Sequence, residues 1–527
     1  MIRVSGLYVG FGLVSLSGCL WFMACTPFDL SALAWVAAVP MLYAVDRAPT
    51  FRRALWLGWW AGVVETGGGF YWLIDVLQRF ADFPWIGAAG VFFLFCAARA
   101  LIFLLFTAIV CSIRRRRQVP MMLLAPIVMA GCEFVIPQLF PCGQWITQAW
   151  HPLVIQISEL TGPLGVTALL MLVNGAIYDG LQSPRNAHYP LLAAATVLAA
   201  AFIFGAVRMR QIDALLAQAP RLRIGLVQPN FAYTNDGQFS RPEALRQLSA
   251  LQFESLRLQQ GGAELAVWSE GSYPVTLPRE FSDDFAPESL AMIRRGLDIP
   301  VIIGANTYDA KRKELYNSAI LLERNGRVAG TYDKARLLAF GEYIPGADTF
   351  PWLRKAIPAG IGRFAAGAGP TILPLRAPDG QDWRLGPVIC YEDILGDYVR
   401  GVGRLHPNLL INMTVDSWYG ARTEPWEHLA LAVFATVELR VGMVRAVNSG
   451  ISALIDPNGR LLQKTDADDP YRQPRAAEGI VVSAPRMAQD PTVYVRYGDW
   501  FAYLCIGTTL LIGAFTLRSP NPRRAVR

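Results

Sequence analysis

Residues 386–397 read "GPVICYEDILGD". The β-formers Val388 and Ile389 lead into Cys390, and Tyr391, Glu392 and Asp393 follow, so the run predicts a strand that ends on a thiol. Of the chain's eight cysteines, Cys390 is the only one between residues 143 and 504; the other seven lie at or near long apolar stretches. A lone thiol at a strand end fits a nucleophile presented at a sheet edge, but on residue type alone a small buried structural cysteine is the more common case. Partners elsewhere in the chain have to decide between them.

Around this stretch, from residue 222 onward, short β-rich runs alternate with polar or helical segments: "LRIGLVQ", "ELAVWSE", "PVIIGAN", "SAILLE", "NLLINMT" and "ISALIDPNG". The pattern predicts a mixed α/β domain. Several runs close on a residue capable of chemistry: Glu270 ends "LAVWSE", Cys390 ends "PVIC", and Asn412 ends "LLIN". Strand ends are where α/β sheets collect ligand sites. No internal repeat and no phosphate-cradling glycine loop stands out.

The flanks are different. The 527 residues are only 17% charged, mean hydropathy is positive at +0.31, and the apolar residues concentrate in residues 1–210 and 499–517. With about 20 residues needed to cross the hydrocarbon core, candidate spans fall near 6–24, 29–45, 55–77, 85–113, 119–137, 163–182, 189–207 and 499–517. The stretch 85–113 is long enough to tilt or break. The expected organisation is a membrane domain over 1–210, an α/β domain over 211–498, and a final span with a basic tail over 499–527. The net charge of +7 does not point to nucleic acid, because the arginines cluster beside the apolar runs. Arg3, Arg47, Arg52, Arg53, Arg114 to Arg117, Arg185 and the C-terminal arginines fall on one side and only Arg79 on the other. By the positive-inside rule both termini are cytoplasmic and the α/β domain faces outward. "VSLSGC", ending at Cys19, imitates a lipoprotein processing site, but the apolar run continues through "LWFMAC" as a spanning helix does. Glu65 and Arg99 sit inside apolar spans, where they pair or line a cavity.

The four histidines, His151, His188, His406 and His428, show no metal-ligand spacing with one another or with Cys390. His428 lies on the predicted helix "EPWEHLALAVFATVELR" and reads as a structural or site-wall histidine. A base for the thiol then has to be another residue type.

"VWSEGSYP", "YDKARLLAFGEYIP", "GPVICYEDILGD" and "NLLINMTVDSWYG" occur in the order and spacing of the nitrilase superfamily, which the domain resembles over about 270 residues. The resemblance implies an α-β-β-α sandwich and a triad of Glu270, Lys334 and Cys390. Those types suit one another chemically. An ordinary thiol is mostly protonated at neutral pH, so a carboxylate can take its proton and release a nucleophile toward an acyl carbonyl. A lysine and the backbone N–H of Tyr391 can stabilise the oxyanion that forms, with no metal or cofactor.

Spans on both sides of such a domain, together with "FGEYIP", "VRAVNSGISALIDPNG" and "VYVRYGDW", resemble the bacterial apolipoprotein N-acyltransferase family over nearly the whole chain. By that resemblance Glu342, Tyr391 and Glu392 join or support the site. The implied reaction moves an acyl chain from a membrane phospholipid, expected to be phosphatidylethanolamine, through a Cys390 thioester to the α-amino group of an S-diacylglyceryl-cysteine apolipoprotein. The implied setting is the inner membrane, with the catalytic domain on the periplasmic face and the protein a monomer. The alternatives are a membrane-tethered amidase that hydrolyses its acyl-enzyme, and a scaffold or transporter with a decayed domain. The chain departs from the family pattern in "QPNFAYTNDGQ", which lacks the usual tryptophan, in Ser269 before the glutamate, and in "FATVE".

One segment has no regular period. Residues 343–364, "YIPGADTFPWLRKAIPAGIGRF", mix Phe350, Trp352, Leu353 and Ile357 with Arg354, Lys355 and Arg363. Aromatic and basic residues together suit the headgroup boundary, so a lid over a lipid path is expected.

Overall fold

The structure is a computed structural model. It describes residues 2–518 apart from 81–82, 232–239, 348, 351, 353–363, 417–422, 466–477 and 488–489. The chain forms two compact units, one comprising Met1–Ile74, Phe83–Met209 and Tyr497–Arg527, the other Asp75–Asp82 and Arg210–Arg496.

The first unit is helical. Helices Ile2–Ala24, Met121–Val135, Leu164–Gln182 and Trp500–Arg518 coincide with expected spans, while the 29–45 region splits into a 3-10 turn, Ser31–Trp35, and a short helix, Val39–Asp46. The 55–77 region also divides: a glycine run at residues 67–69 closes Phe51–Gly69, and Leu73–Phe80 begins separately. Among the described residues, Trp85–Arg114, broken at Ala100, is one of three helices long and apolar enough to cross a membrane, with Leu164–Gln182 and His188–Gln218. Helices approach closely through small residues, as lipid-solvated helices do. A Cβ on Gly62 would lie 2.8 Å from Ala100, and one on Gly175 would lie 2.6 Å from Met122. Arg99 is buried, donates to Gln138 and to the Cys142 carbonyl, and stands over the Phe70 ring.

The second unit has two sheets. Its strands are β1 (Arg221–Gln228), β2 (Leu265–Trp268), β3 (Leu277–Pro278), β4 (Val301–Asp309), β5 (Glu314–Leu322), β6 (Val328–Asp333), β7 (Leu373–Arg376), β8 (Asp382–Ile389), β9 (Leu409–Thr414), β10 (Met443–Val447), β11 (Ala453–Ile455), β12 (Leu461–Lys464) and β13 (Glu478–Pro485). The first sheet has the order β13-β1-β2-β4-β5-β6 with β3 on β4, and the second β12-β11-β10-β9-β8-β7. Strands β2, β9 and β10 are buried along their whole length. That burial explains the predominance of apolar residues in them, as expected for strands covered on both faces.

The helix Arg241–Gln260 packs on β1 and β2, while Glu424–Leu439 and Gly396–Gly403 cover the turn after β8. β1 meets β10 between the sheets, completing an α-β-β-α sandwich. The core of the first layer joins Leu248 and Leu251 of the helix to Val227, Trp268, Val301 and Ile303. Trp268 Nε1 donates to Ser255 Oγ at 2.8 Å, which satisfies the one polar atom that this large side chain carries into the core.

Candidate active site

Glu270, Lys334 and Cys390 each sit just past the C-terminal end of a strand: β2, β6 and β8. The turn that delivers Glu270 needs room. A Cβ on Gly304 of β4 would lie 2.2 Å from the Ser269 carbonyl and 2.8 Å from Glu270 Cα, so only glycine lets the turn lie against β4. Lys334 is fixed through its backbone, its N–H donating to the Asn317 carbonyl at 2.8 Å and its carbonyl accepting from Gly367 at 2.9 Å.

Cys390 opens a 3-10 turn, Cys390–Ile394, with φ of +52°. A non-glycine residue there is strained, and such strain persists only where surrounding contacts enforce it. Glu392 supplies them. Its fully buried carboxylate accepts from Ile389 N (2.8 Å), Ala335 N (2.7 Å), Arg336 N (3.0 Å) and Tyr332 OH (2.5 Å). It therefore ties the cysteine turn of one sheet to the lysine loop of the other. Burial pushes its pKa up to about 7 against the pull of those hydrogen bonds.

The charged centre is compact. Lys334 Nζ donates to Glu342 Oε1 at 2.9 Å and to Glu270 Oε1 at 3.3 Å, with the lysine side chain 2% exposed. Glu342 Oε2 accepts from Leu338 N at 2.8 Å, which anchors the "FGEY" turn. Asn317 Nδ2 reaches Glu270 at 2.6 Å and Glu342 at 3.4 Å, placing one amide between two carboxylates. Burial alone would lower the Lys334 pKa, but Glu270 and Glu342 outweigh it and hold the ammonium well above its ordinary value. Burial raises Glu270, with Lys334 opposing. Burial and the Glu270 charge likewise hold the Cys390 thiol well above its usual range, while Lys334 and a hydrogen bond from Thr414 pull the other way. Burial and the neighbouring carboxylates thus favour the protonated form of Cys390. Tyr391 lies half-buried beside it.

Asp393, one residue further, points into a second buried cluster. Its carboxylate takes His428 Nε2 at 2.9 Å and Arg445 Nη1 at 2.8 Å; Asp416 takes His428 Nδ1 at 3.0 Å and Arg445 Nη2 at 3.2 Å. Arg445 also reaches Asn412 Oδ1 at 2.9 Å. Burial and Arg445 lower the His428 pKa, but Asp393 and Asp416 prevail and raise it to about 10. The ring is then a cation with both nitrogens engaged, which favours the structural over the site-wall role among the two the sequence left open. Asp416, Glu424 and His428 offer ligand atoms within 4.8 Å of one another. Arg445 and protonated His428 already supply the positive charge, which makes the group an ion-pair cluster and not a vacant metal cage.

The six residues singled out from sequence therefore fall in one region, with Glu392 acting through the backbone of its neighbours and not facing outward. Asn317, Asp393, Asp416 and Arg445 were not anticipated. Arg445, a charge within the buried strand "MVRAV", carried a readable signal. Asn317 did not, because one polar residue in "LYNSAILL" is unremarkable in a strand.

Comparison with known proteins sharpens the picture. The apolipoprotein N-acyltransferase N-terminal domain model matches residues 17–176, and the carbon-nitrogen hydrolase model matches residues 223–470. The apolipoprotein N-acyltransferase of Geobacter metallireducens is 29% identical over 521 residues, covering 95% of this chain and 94% of its own. That of Bdellovibrio bacteriovorus is 26% identical, covering 96% and 94%. Among solved structures, Saccharomyces cerevisiae Nit3, a nitrilase-superfamily member, aligns with 50% of this chain and 90% of its own at 14% identity and a TM-score of 0.34.

A helical membrane unit carrying a carbon-nitrogen-hydrolase domain, with a thiol, a lysine and carboxylates at its strand ends, defines a class: membrane-embedded acyltransferases of nitrilase type. Within that class, the two domain matches and the full-length relatives place the chain. It belongs to the apolipoprotein N-acyltransferase family.

Proposed function

We propose that the protein N-acylates lipoproteins, moving an acyl chain from a membrane phospholipid to the α-amino group of an S-diacylglyceryl-cysteine N-terminus. The observation that carries this is the buried Lys334 ammonium held between Glu270 and Glu342 next to Cys390, in a chain whose relatives match it from end to end.

In the first step Glu270 takes the Cys390 proton. Releasing that proton to water would create a new buried charge. Passing it to Glu270 exchanges one buried anion for another, so desolvation opposes the transfer far less. The thiolate attacks the donor ester carbonyl, with Lys334 and the amide of Tyr391 stabilising the oxyanion; the C–O ester bond breaks and the lysophospholipid leaves as its alcohol, taking the proton from Glu270 and returning it to the carboxylate form. In the second step the acceptor amine attacks the thioester, and Glu270 assists its deprotonation.

In this reading Glu270, Lys334 and Cys390 form the triad, Glu342 holds the lysine, and Glu392 holds the cysteine turn. Phosphatidylethanolamine is the donor. Residues 1–210 form the membrane domain, 211–498 the catalytic domain on the periplasmic face of the inner membrane, and 499–527 the last span and basic tail, with the protein acting as a monomer. The hydrolytic alternative is less favoured, since the full-length relatives carry the acyltransferase name.

Purified full-length protein incubated with acyl-labelled phosphatidylethanolamine and a diacylglyceryl peptide tests the reaction. Labelled peptide is expected. Labelled free fatty acid would identify a hydrolase, and neither product would remove the enzymatic reading.

A further inference from the structure

The Thr414 hydroxyl has one acceptor at rest, Asp416, and influences a second group, the Cys390 thiol. β8 and β9 run parallel with Ile389 paired to Met413, and the turn that Cys390 opens packs against β9, which ends at Thr414. Thr414 is fully buried, and its hydroxyl acts to lower the pKa of the Cys390 thiol. The same oxygen lies 3.3 Å from Asp416 Oδ1. A hydroxyl has one hydrogen to give.

Asp416 does not depend on it. Its Oδ1 also takes His428 Nδ1 at 3.0 Å and Arg445 Nη2 at 3.3 Å, and its Oδ2 takes Arg445 at 3.2 Å. Sulfur changes more. A neutral thiol or a thioester accepts weakly, whereas a thiolate forms a charge-assisted bond. The other groups facing the sulfur are committed elsewhere: Lys334 to Glu270 and Glu342, Arg445 to Asp393 and Asp416. His428 and Glu424 stand behind Asp416.

We propose that Thr414 is a further catalytic residue of the acyl transfer. Its hydroxyl donates to Asp416 while Cys390 is a thiol or thioester, and turns to the sulfur each time a thiolate forms. The proposal rests on Cys390 being the nucleophile. The thiolate arises twice: when Glu270 removes the S–H proton before attack on the donor ester, and when the acceptor amine takes the acyl carbon and the C–S bond breaks. Thr414 keeps its own proton throughout. Its contribution is to the anion, not to proton transfer.

The test follows iodoacetamide alkylation of the Cys390 peptide against pH by mass spectrometry, in the full-length protein in detergent, alongside acyl-enzyme formation from phospholipid vesicles. Thr414→Val is expected to move the alkylation profile upward by about one pH unit or more, and to slow acyl-enzyme formation about tenfold or more. Thr414→Ser, which restores the hydroxyl, should return both toward wild type. A Thr414→Val profile that coincides with wild type would overturn the proposal, and so would Thr414→Ser shifting as far as valine, since packing alone would then explain the effect. Absence of an acyl adduct on Cys390 in the wild-type protein would instead remove the nucleophile reading beneath it.

Discussion

Lys334 Nζ is closer to Glu342, at 2.9 Å, than to Glu270, at 3.3 Å. The ammonium leans away from the carboxylate assigned as the base. This keeps Glu270 from being fully neutralised by its cation, and Asn317 completes its hydrogen bonding at 2.6 Å. A carboxylate locked in a tight ion pair would be a poor proton acceptor.

Glu342→Gln should therefore weaken the base without removing it. Burial raises the Glu270 pKa, and the Glu342 charge adds to the rise. Deleting that charge lowers the Glu270 pKa, so Glu270 stays ionised to lower pH. The acid limb of acyl-enzyme formation should move to lower pH while the plateau rate falls by about tenfold or more. Single-turnover rates against pH measure both, and an unmoved acid limb would refute the coupling.

His428 links stability to pH. Its folded pKa is raised to about 10, above the unfolded value of about 6.5. The stabilisation is complete below about pH 6.5 and is lost as pH rises through 10, a change on the order of a few kcal/mol. His428→Asn should melt at a lower temperature than wild type at pH 6 and show a flatter decline between pH 7 and 10. Parallel declines in the two proteins would contradict the assignment.

The α/β domain was legible because its strands are mostly apolar runs ending in polar residues, and Glu270, Lys334 and Cys390 lie in motifs that keep their spacing. The second cluster was not legible. Asp393 and Asp416 read as ordinary loop carboxylates until β10 brings Arg445 between them, a contact separated by 52 and 29 residues. Helix breaks were partly visible: the length of 85–113 anticipated the interruption at Ala100, and the 29–45 run carries Pro40, which sits in the first turn of Val39–Asp46 and marks where the run splits. Periodicity reports burial and does not report where a buried helix must turn.

The arginine asymmetry predicts the orientation. Arg116 and Arg376 are both exposed, so single cysteines at these positions in a cysteine-depleted chain should report sidedness. Membrane-impermeant maleimide should label position 376 from the periplasmic side and leave 116 untouched until the membrane is opened. The reverse pattern would invert the assignment.

Residues 343–364 are expected to guide lipid. Phe350 and Trp352 are 53% and 63% exposed, while Leu353, Arg354, Lys355, Ile357 and Arg363 lie outside the described residues. Replacing Phe350, Trp352 and Leu353 by Ser should slow acyl transfer from vesicles by about tenfold or more, with iodoacetamide alkylation of Cys390 nearly unchanged. Equal losses in both assays, or a large drop in melting temperature, would assign these side chains to the core instead.

The central claim is that Cys390 carries the acyl chain between two lipids. Mass spectrometry of the full-length protein after incubation with phospholipid vesicles tests it directly. The predicted result is one acyl chain on the Cys390 peptide, removed by hydroxylamine and transferred to a diacylglyceryl peptide when that is added. The adduct should be absent from Cys390→Ala and severely reduced in Glu270→Gln and Lys334→Ala. Acylated peptide produced by Cys390→Ala at the wild-type rate would contradict the account.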